Sequence, residues 1–262
     1  MDSRIQLLKS FAKPSSEICN NYFSKNAKTW QKADKSFVSE ADIKVNDFLL
    51  SQIQSHFAED AILSEESPDN PKRFTAEYTW IIDPIDGTSE FIAGSPEFCV
   101  MVCLLHKNHP VYAMVAIPQE QKSYFGGPDK SLIELDLASN KETLLYPKEI
   151  NSNTLIISKS RAAKEISVFA EQCNLTTFSC GSAGVKACRI LQGRADYYIH
   201  INKIAEWDTA APDCLLKAWG SGLTDIHGKQ LIYNKSNFYH PQFFYLTKKT
   251  LLQSAQKFFQ LD

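Results

Sequence analysis

Hydrophobic positions in the first 57 residues follow the period of amphipathic helices. Ile5, Leu8 and Phe11 recur at helical spacing ahead of Pro14, which predicts a helix that is interrupted or restarts near the proline. Over residues 40–57, a second helical face carries the apolar residues Val45, Phe48, Leu49, Ile53 and Phe57. The beginning of the chain is therefore predicted to be helical.

From residue 79 to residue 126 the apolar pattern changes to short runs separated by Gly, Pro and Asn. These runs, which are typical of β-strands, cover residues 80–82, 98–105, 111–117 and 123–125. The polar segment 105–110 has the length and composition of a hairpin connection. We therefore expect a largely antiparallel sheet here.

After residue 150, apolar runs of strand length alternate with helical patterns. Strands are predicted over 155–157, 176–178, 195–199 and 243–246, and helices over 162–173, 183–191, 207–219 and 249–259. Gly193 and Gly220 mark the ends of two of these helices. The chain is thus predicted to be α+β over 1–150 and α/β over 151–262, with the polar stretch 140–153 as the boundary.

Composition narrows the classes of function. The formal net charge of -2 over 262 residues gives no positive field that would recruit nucleic acid or a membrane surface. No uncharged apolar run approaches the roughly 18 residues of a spanning helix, and the beginning of the chain lacks the apolar core of a secretory signal. Seven cysteines without a Cys-x-x-Cys pair indicate buried thiols in a reducing compartment, so we expect a cytoplasmic protein.

The segment 80–88 carries the most informative pattern of the sequence. An apolar run leads into Asp83 and Asp86, with Pro84 between them. Two carboxylates that leave one strand end need positive charge between them if both are buried, and a hard divalent cation suits oxygen ligands. The N–H groups of Gly87, Thr88 and Ser89 would bind a phosphate. The alternative is that the two aspartates only cap a helix.

Two other acidic segments accompany this one. Glu65 and Glu66 follow the apolar run 61–63, and Asp208 stands in the Glu-Trp-Asp sequence that begins a predicted helix. Each has a simpler explanation: the glutamates would lie in a solvated turn, and Asp208 would cap its helix.

The segments 63–66, 83–88 and 207–211 resemble the three signature motifs of the inositol monophosphatase superfamily, in the order found there. The resemblance covers about residues 32–228. It implies a layered αβαβα sandwich and a phosphomonoesterase that uses two or three Mg²⁺. The metal ligands that it implies are the side chains of Glu65, Asp83, Asp86 and Asp208 and the carbonyl oxygen of Ile85.

The resemblance also implies roles in catalysis. One Mg²⁺, held by Glu65, Asp83 and Ile85, would activate a water, and a second, held by Asp83, Asp86 and Asp208, would neutralise the departing oxygen.

Thr88 would orient the attacking water, and Asp42 would pair with Thr88 and take the proton, so that the catalytic set is Asp42, Glu65 and Thr88. For Asp42 the alternative is a capping box with Ser39. Inhibition by lithium is a further implication.

For the substrate, the segments 32–42, 88–92 and 223–228 resemble 3′(2′),5′-bisphosphate nucleotidases. That resemblance places Ser182 and Lys186 at the nucleotide and Ser158 and Arg161 at the phosphate that is not hydrolysed. It implies adenosine 3′,5′-bisphosphate as the substrate and AMP as the product. The alternative for Lys186 and Arg161 is that they are simply exposed side chains.

Other functions stay open at this point. The segment 92–98 departs from most nucleotidases and is closer to monophosphatases and histidinol phosphatases, so inositol phosphate and histidinol phosphate are alternative substrates. A non-catalytic phospholigand-binding protein on this fold is an alternative of another class, but such a protein would be expected to lack a metal ligand or Thr88. The expected assembly is a monomer or a homodimer.

Overall fold

Two β-sheets and the helices packed on them form the frame of the molecule in a computed structural model, which describes residues 1–24, 27–32, 37–147, 152–159 and 163–259. The α-helices are α1 (Asp2–Ser10), α2 (Ala12–Tyr22), α3 (Glu40–His56), α4 (Thr88–Ile92), α5 (Lys164–Gln172), α6 (Ala183–Leu191), α7 (Glu206–Trp219) and α8 (Lys249–Phe259). The strands are β1 (Thr29–Gln31), β2 (Phe37–Ser39), β3 (Ala61–Ser64), β4 (Tyr78–Asp86), β5 (Cys99–His106), β6 (His109–Ile117), β7 (Lys122–Gly127), β8 (Lys130–Asp136), β9 (Glu142–Leu145), β10 (Thr154–Ser158), β11 (Thr176–Cys180), β12 (Tyr197–His200), β13 (Ile204–Ala205), β14 (Tyr239–His240) and β15 (Phe243–Tyr245). Two short 3₁₀-helices cover Pro71–Phe74 and Pro118–Glu120.

The larger sheet has seven strands in the order β3-β4-β5-β6-β7-β8-β9. Only β3 and β4 pair in parallel, and all other neighbours are antiparallel, which confirms the predicted sheet type. The predicted hairpin connects β5 to β6 through Lys107 and Asn108, whose φ angles of 48° and 68° suit a tight turn between twisted strands.

The smaller sheet has the order β11-β10-β12-β15, with parallel pairs around β10 and an antiparallel edge strand β15. The order β10-α5-β11-α6-β12 along the chain makes it a βαβ arrangement, as the alternating pattern predicts. Helix α5 begins at Lys164, and the predicted start at residue 162 lies outside the described residues.

Three hydrophobic cores hold five layers of helices and sheets together, and the middle core includes the layer formed by α6 and α7. One core lies between α1–α3 and one face of the larger sheet, and includes Leu49 and Trp80. Another lies between the opposite face and α6, α7 and the smaller sheet, and includes Met101 and Leu215. The third lies between the smaller sheet and α5 and α8. This αβαβα order confirms the predicted fold class.

The predicted boundary at residue 150 stays a prediction. Strand β9 lies inside the polar stretch 140–153 and extends the larger sheet, and α7 from the second half packs on that same sheet. The core between the sheets therefore contains side chains from both halves of the sequence.

The predicted interruption of the first helix near Pro14 is confirmed. The first helix ends at Ser10 and the next begins at Ala12, so that Pro14 lies in a first turn, where its missing N–H is tolerated.

Six cysteines are buried and Cys173 is half-buried, all as free thiols. No helix in the described part of the chain is long and apolar enough to cross a bilayer.

Candidate active site

A β-bulge brings Asp83 and Asp86 to one face of the larger sheet. Residues three apart on a regular strand point to opposite faces. Here the register of β4 shifts between these two residues, so that Asp83 lies opposite Met101 and Asp86 opposite Cys99. Pro84, which has no N–H to give to the ladder, lies within the bulge. Both carboxylates consequently face α6 and α7.

The third member of the acidic group comes from the first turn of α7. Asp83, Asp86 and Asp208 each offer an oxygen atom, and these three atoms lie within 4.8 Å of one another. Asp208 also accepts a hydrogen bond from the N–H of Ala205 at 3.2 Å, so its capping role is real but not its only contact with the site. We call Asp83, Asp86 and Asp208 the acidic triad.

The buried, unpartnered carboxylate of Asp83 indicates that the acidic triad suits a bound cation. Its side chain is 1% exposed, and neither carboxylate oxygen has a hydrogen-bond partner among the described residues. Burial, together with the charges of Glu65, Asp86 and Asp208, raises the pKa of Asp83 well above its usual value. Oxygen ligands of this kind suit Mg²⁺. The alternative in which these aspartates only cap the following helix is wrong, because α4 has no side-chain cap.

Asp86 is held from the opposite side by the beginning of α6. Its Oδ2 atom accepts hydrogen bonds from the hydroxyl of Ser182 at 2.5 Å and from the N–H of Gly184 at 2.7 Å. A Cβ at Gly184 would lie 2.5 Å from the sulfur atoms of Cys99 and Met101, so only glycine permits this approach of α6 to the sheet. The residue predicted to contact the nucleotide, Ser182, thus also fixes a predicted metal ligand.

Glu65 follows the end of β3, next to β4, and its N–H bonds to the carbonyl oxygen of Ile82 at 3.2 Å. Lys32 forms ion pairs with Glu65 at 2.9 Å and with Glu66 at 2.5 Å. The two glutamates do lie in a turn, but both are half-buried and paired with Lys32, so the turn is not simply solvated. Burial is the main cause that raises the pKa of Glu65, and Lys32 opposes it.

Thr88 and Asp42 lie in direct contact. The Thr88 hydroxyl lies 3.0 Å from Asp42 Oδ1 and 3.1 Å from the carbonyl oxygen of Ile85. Asp42 Oδ2 accepts from the Ser39 N–H at 2.8 Å and from the Ser39 hydroxyl at 2.5 Å. Asp42 therefore makes the capping box with one oxygen and contacts Thr88 with the other. Its burial raises its pKa to about 6.

Gly87 allows the chain to turn from β4 into α4 beside the triad. Its φ of 92° lies in the left-handed region, and a Cβ there would lie 3.1 Å from the carbonyl oxygen of Glu97. The turn leaves Gly87, Thr88 and Ser89 on the wall of the cleft, where their N–H groups were predicted to meet a phosphate.

A cleft of about 340 Å³ contains the triad and extends across to the smaller sheet. Ser158, Ser182 and Lys186 line it. Lys186 is 3% exposed and donates a hydrogen bond to the carbonyl oxygen of Ser182 at 3.1 Å, so the alternative of an exposed helical lysine is wrong. Burial lowers its pKa, and Asp86 opposes that shift. Arg161 lies outside the described residues.

Comparison with known proteins decides the family. The profile of the inositol monophosphatase family matches residues 1–259. The chain belongs to the inositol monophosphatase family. The family and its nucleotidase relatives make the chain a phosphatase, and the residues predicted as metal ligands and Thr88, which a non-catalytic relative would be expected to lack, are all present in the sequence.

Relatives within the inositol monophosphatase family include the 3′(2′),5′-bisphosphate nucleotidase CysQ of Aggregatibacter actinomycetemcomitans. It is 28% identical over 237 residues, which cover 88% of each chain. The crystal structure of CysQ from Bacteroides thetaiotaomicron superposes with a TM-score of 0.78 at 23% identity, over 92% of this chain and 96% of that one. An IMPase/NADP phosphatase complexed with Mg²⁺ and phosphate superposes with a TM-score of 0.75 at 16% identity, over 97% and 95%.

Sequence reasoning missed some contacts in this site. The ion pair of Lys32 with Glu65 joins residues 33 positions apart, and the bond from Ser182 to Asp86 joins residues 96 apart. No local pattern encodes such pairs. Three further cleft residues, Lys203, Trp207 and Tyr239, were not predicted as part of the substrate site.

Proposed function

We propose that this phosphatase hydrolyses the 3′-phosphate of adenosine 3′,5′-bisphosphate, giving AMP and inorganic phosphate. The observation that carries the proposal is a single cleft that contains both the acidic triad and the ammonium group of Lys186. Such a cleft suits a substrate with two phosphates, one to be hydrolysed and one to be held. The names of the CysQ relatives agree with this chemistry.

For the metal, we propose that Asp83, Asp86 and Asp208 hold Mg²⁺ together with Glu65 and the carbonyl oxygen of Ile85. When bound, Mg²⁺ supplies the charge that lowers the pKa of a water and neutralises the departing ester oxygen. The unpartnered oxygens of Asp83 support its part in this set. Ser182 and Gly184 restrict Asp86 to one orientation, which favours ordered ligands.

For proton transfer, Thr88 and Asp42 form a relay. With its hydrogen directed to Asp42 Oδ1, the Thr88 oxygen has a lone pair for a proton of the attacking water. The water gives that proton to Thr88 as its oxygen bonds to phosphorus, and the Thr88 proton passes to Asp42. The bond from phosphorus to the 3′-oxygen breaks, and the departing oxygen takes a proton from a solvent water to become the 3′-hydroxyl of AMP. A carboxylate whose pKa is about 6 can accept a proton near neutral pH.

We expect Lys186→Ala to separate the two phosphates of the substrate kinetically. The change removes a charge-assisted contact, so kcat/KM for adenosine 3′,5′-bisphosphate should fall by about 10- to 150-fold, the equivalent of about 1.5–3 kcal/mol. Steady-state phosphate release would measure this beside a small monophosphate without the second phosphate, for which we expect a much smaller loss. Equal losses on both substrates, or a wild-type preference for inositol 1-phosphate or histidinol phosphate, would contradict the nucleotidase proposal.

A further inference from the structure

Three aromatic rings lie together at the wall of the cleft next to the acidic triad. Trp207 directly precedes Asp208 on α7, and Tyr239 pairs with Ala205 in the short β13–β14 ladder. Phe238 packs against both, with ring centroids 4.9 Å from that of Trp207 and 4.8 Å from that of Tyr239. We call Trp207, Phe238 and Tyr239 the aromatic shelf.

The aromatic shelf is accessible from the cleft. Trp207 and Tyr239 line the cleft, and both side chains are only half-buried, unlike the core aromatics. The backbone beneath them is firmly placed, because Ile204 and Ala205 are buried and pair with β14. A flat, partly exposed surface on a rigid support is suited to stacking.

The exposed side chain of Lys203 lies over the ring of Tyr239. Its Nζ atom lies 3.7 Å from the centroid of the Tyr239 ring, and the side chain is exposed. A cation–π contact at an exposed site contributes about 0.5–1 kcal/mol, whereas a base stacked on an aromatic side chain contributes about 1–3 kcal/mol. A base can therefore displace the ammonium group with a net gain, and the displaced ammonium stays close to an anionic ligand.

We propose, on the basis of the proposed function, that the aromatic shelf is the subsite that takes the nucleobase, which stacks on Tyr239 after Lys203 has moved aside. A nucleobase has a flat π-face that fits such a ring, whereas a polyol is held mainly by hydrogen bonds to its hydroxyl groups. The shelf adjoins Asp208 in sequence and in space, so one ligand can reach from the triad to Tyr239. Recognition of the base then depends on Tyr239, which lies outside the three acidic motifs.

The test compares two substrates that differ only in the base: adenosine 3′,5′-bisphosphate and its abasic analogue, 1-deoxyribose 3,5-bisphosphate. Wild type should prefer the nucleotide in kcat/KM. Tyr239→Ala should lower the ratio between the two substrates by about 5- to 150-fold, and Tyr239→Phe, which keeps the ring, should preserve it. An unchanged ratio in Tyr239→Ala would overturn the inference while leaving the nucleotidase activity in place.

A binding measurement decides the inference if the proposed function fails. Should wild type hydrolyse neither bisphosphate, calorimetric titration with AMP in the presence of Mg²⁺ still reports on the shelf. Weaker binding of AMP to Tyr239→Ala than to wild type and Tyr239→Phe would support the base subsite. Equal affinities in all three proteins, or no binding by wild type, would overturn it. Thermal melts of the variants show whether the fold is retained.

Discussion

Replacing Asp83 by Asn should abolish most of the phosphatase activity and at the same time stabilise the metal-free protein. Asp83 is the buried, unpartnered member of the acidic triad. If Asp83 is a metal ligand, as proposed, its loss removes several kcal/mol of transition-state stabilisation, so we expect kcat/KM to fall by about 10³-fold or more. In chelator, at a pH above the raised pKa of Asp83, the same change removes a carboxylate charge that the neighbouring carboxylates repel. The melting temperature should then rise by about 2–4 °C for each kcal/mol of stability gained.

The stability of the metal-free protein should also depend on pH, because Asp83 becomes charged as the pH rises. Because the pKa of Asp83 is raised in the folded state, the native protein keeps a proton that the unfolded chain releases near pH 4. Stability in chelator should therefore fall as the pH rises from about 4 through the raised pKa of Asp83, and it should fall less in Asp83→Asn. Added Mg²⁺ should stabilise the wild-type protein, by about 2.7 kcal/mol when its free concentration is a hundred times its dissociation constant.

Asp213→Asn is the matched control. Asp213 is also fully buried, but it pairs with Lys217 at 2.8 Å and accepts from the N–H of Leu223 at 2.7 Å. Its replacement leaves a lysine unpaired and should lower the melting temperature with and without Mg²⁺. Scanning calorimetry of the three proteins separates the two cases. A destabilised Asp83→Asn apoprotein, or one with near wild-type turnover, would contradict the assignment of Asp83.

Thr88→Ala should reduce kcat by about 10²–10⁴-fold, the usual contribution of a group in acid–base catalysis. The Thr88 hydroxyl lies 3.0 Å from Asp42 Oδ1, so its removal breaks the proposed path of the proton without removing a carboxylate. Calorimetric titration should therefore show little change in Mg²⁺ affinity. Thr88→Ser keeps the hydroxyl and should recover most of the rate. A Thr88→Ala enzyme with wild-type kcat would eliminate the relay.

Asp42 should show two separate effects, because its two oxygens have different partners. Asp42→Ala removes the capping box with Ser39, which costs about 1 kcal/mol of stability, and also removes the proposed proton acceptor of Thr88. Ser39→Ala removes mainly the cap. We expect Ser39→Ala to share the loss of melting temperature but not the large loss of kcat, and similar kinetics in both variants would leave Asp42 with a structural role alone.

The fold was predictable where the pattern of burial is strong. The face of α3 that carries Val45, Leu49 and Ile53 is fully buried, and the alternation of strands and helices after residue 150 appears as the smaller sheet. By contrast, β9 was not predicted, because its residues are mostly exposed on both faces and its sequence shows no alternation of apolar and polar residues.

The candidate site was predictable to the extent that its residues stand in local motifs. Asp83 and Asp86 leave one strand together, and the sequence identifies them as a pair. Their common face, however, depends on a bulge that is defined only by pairing with β5. The hydrogen bond from Ser182 to Asp86 and the cation–π contact of Lys203 with Tyr239 arise from tertiary packing, which no short motif encodes.

The most direct test of the account is a ³¹P NMR time course of adenosine 3′,5′-bisphosphate with the wild-type enzyme and Mg²⁺. The account predicts that the 3′-phosphate resonance disappears, that inorganic phosphate appears in equal amount, and that the 5′-phosphate resonance of AMP persists, with no change in a parallel sample containing chelator. Release of the 5′-phosphate, turnover that continues in chelator, or an unchanged spectrum under conditions in which inositol 1-phosphate is hydrolysed would contradict it.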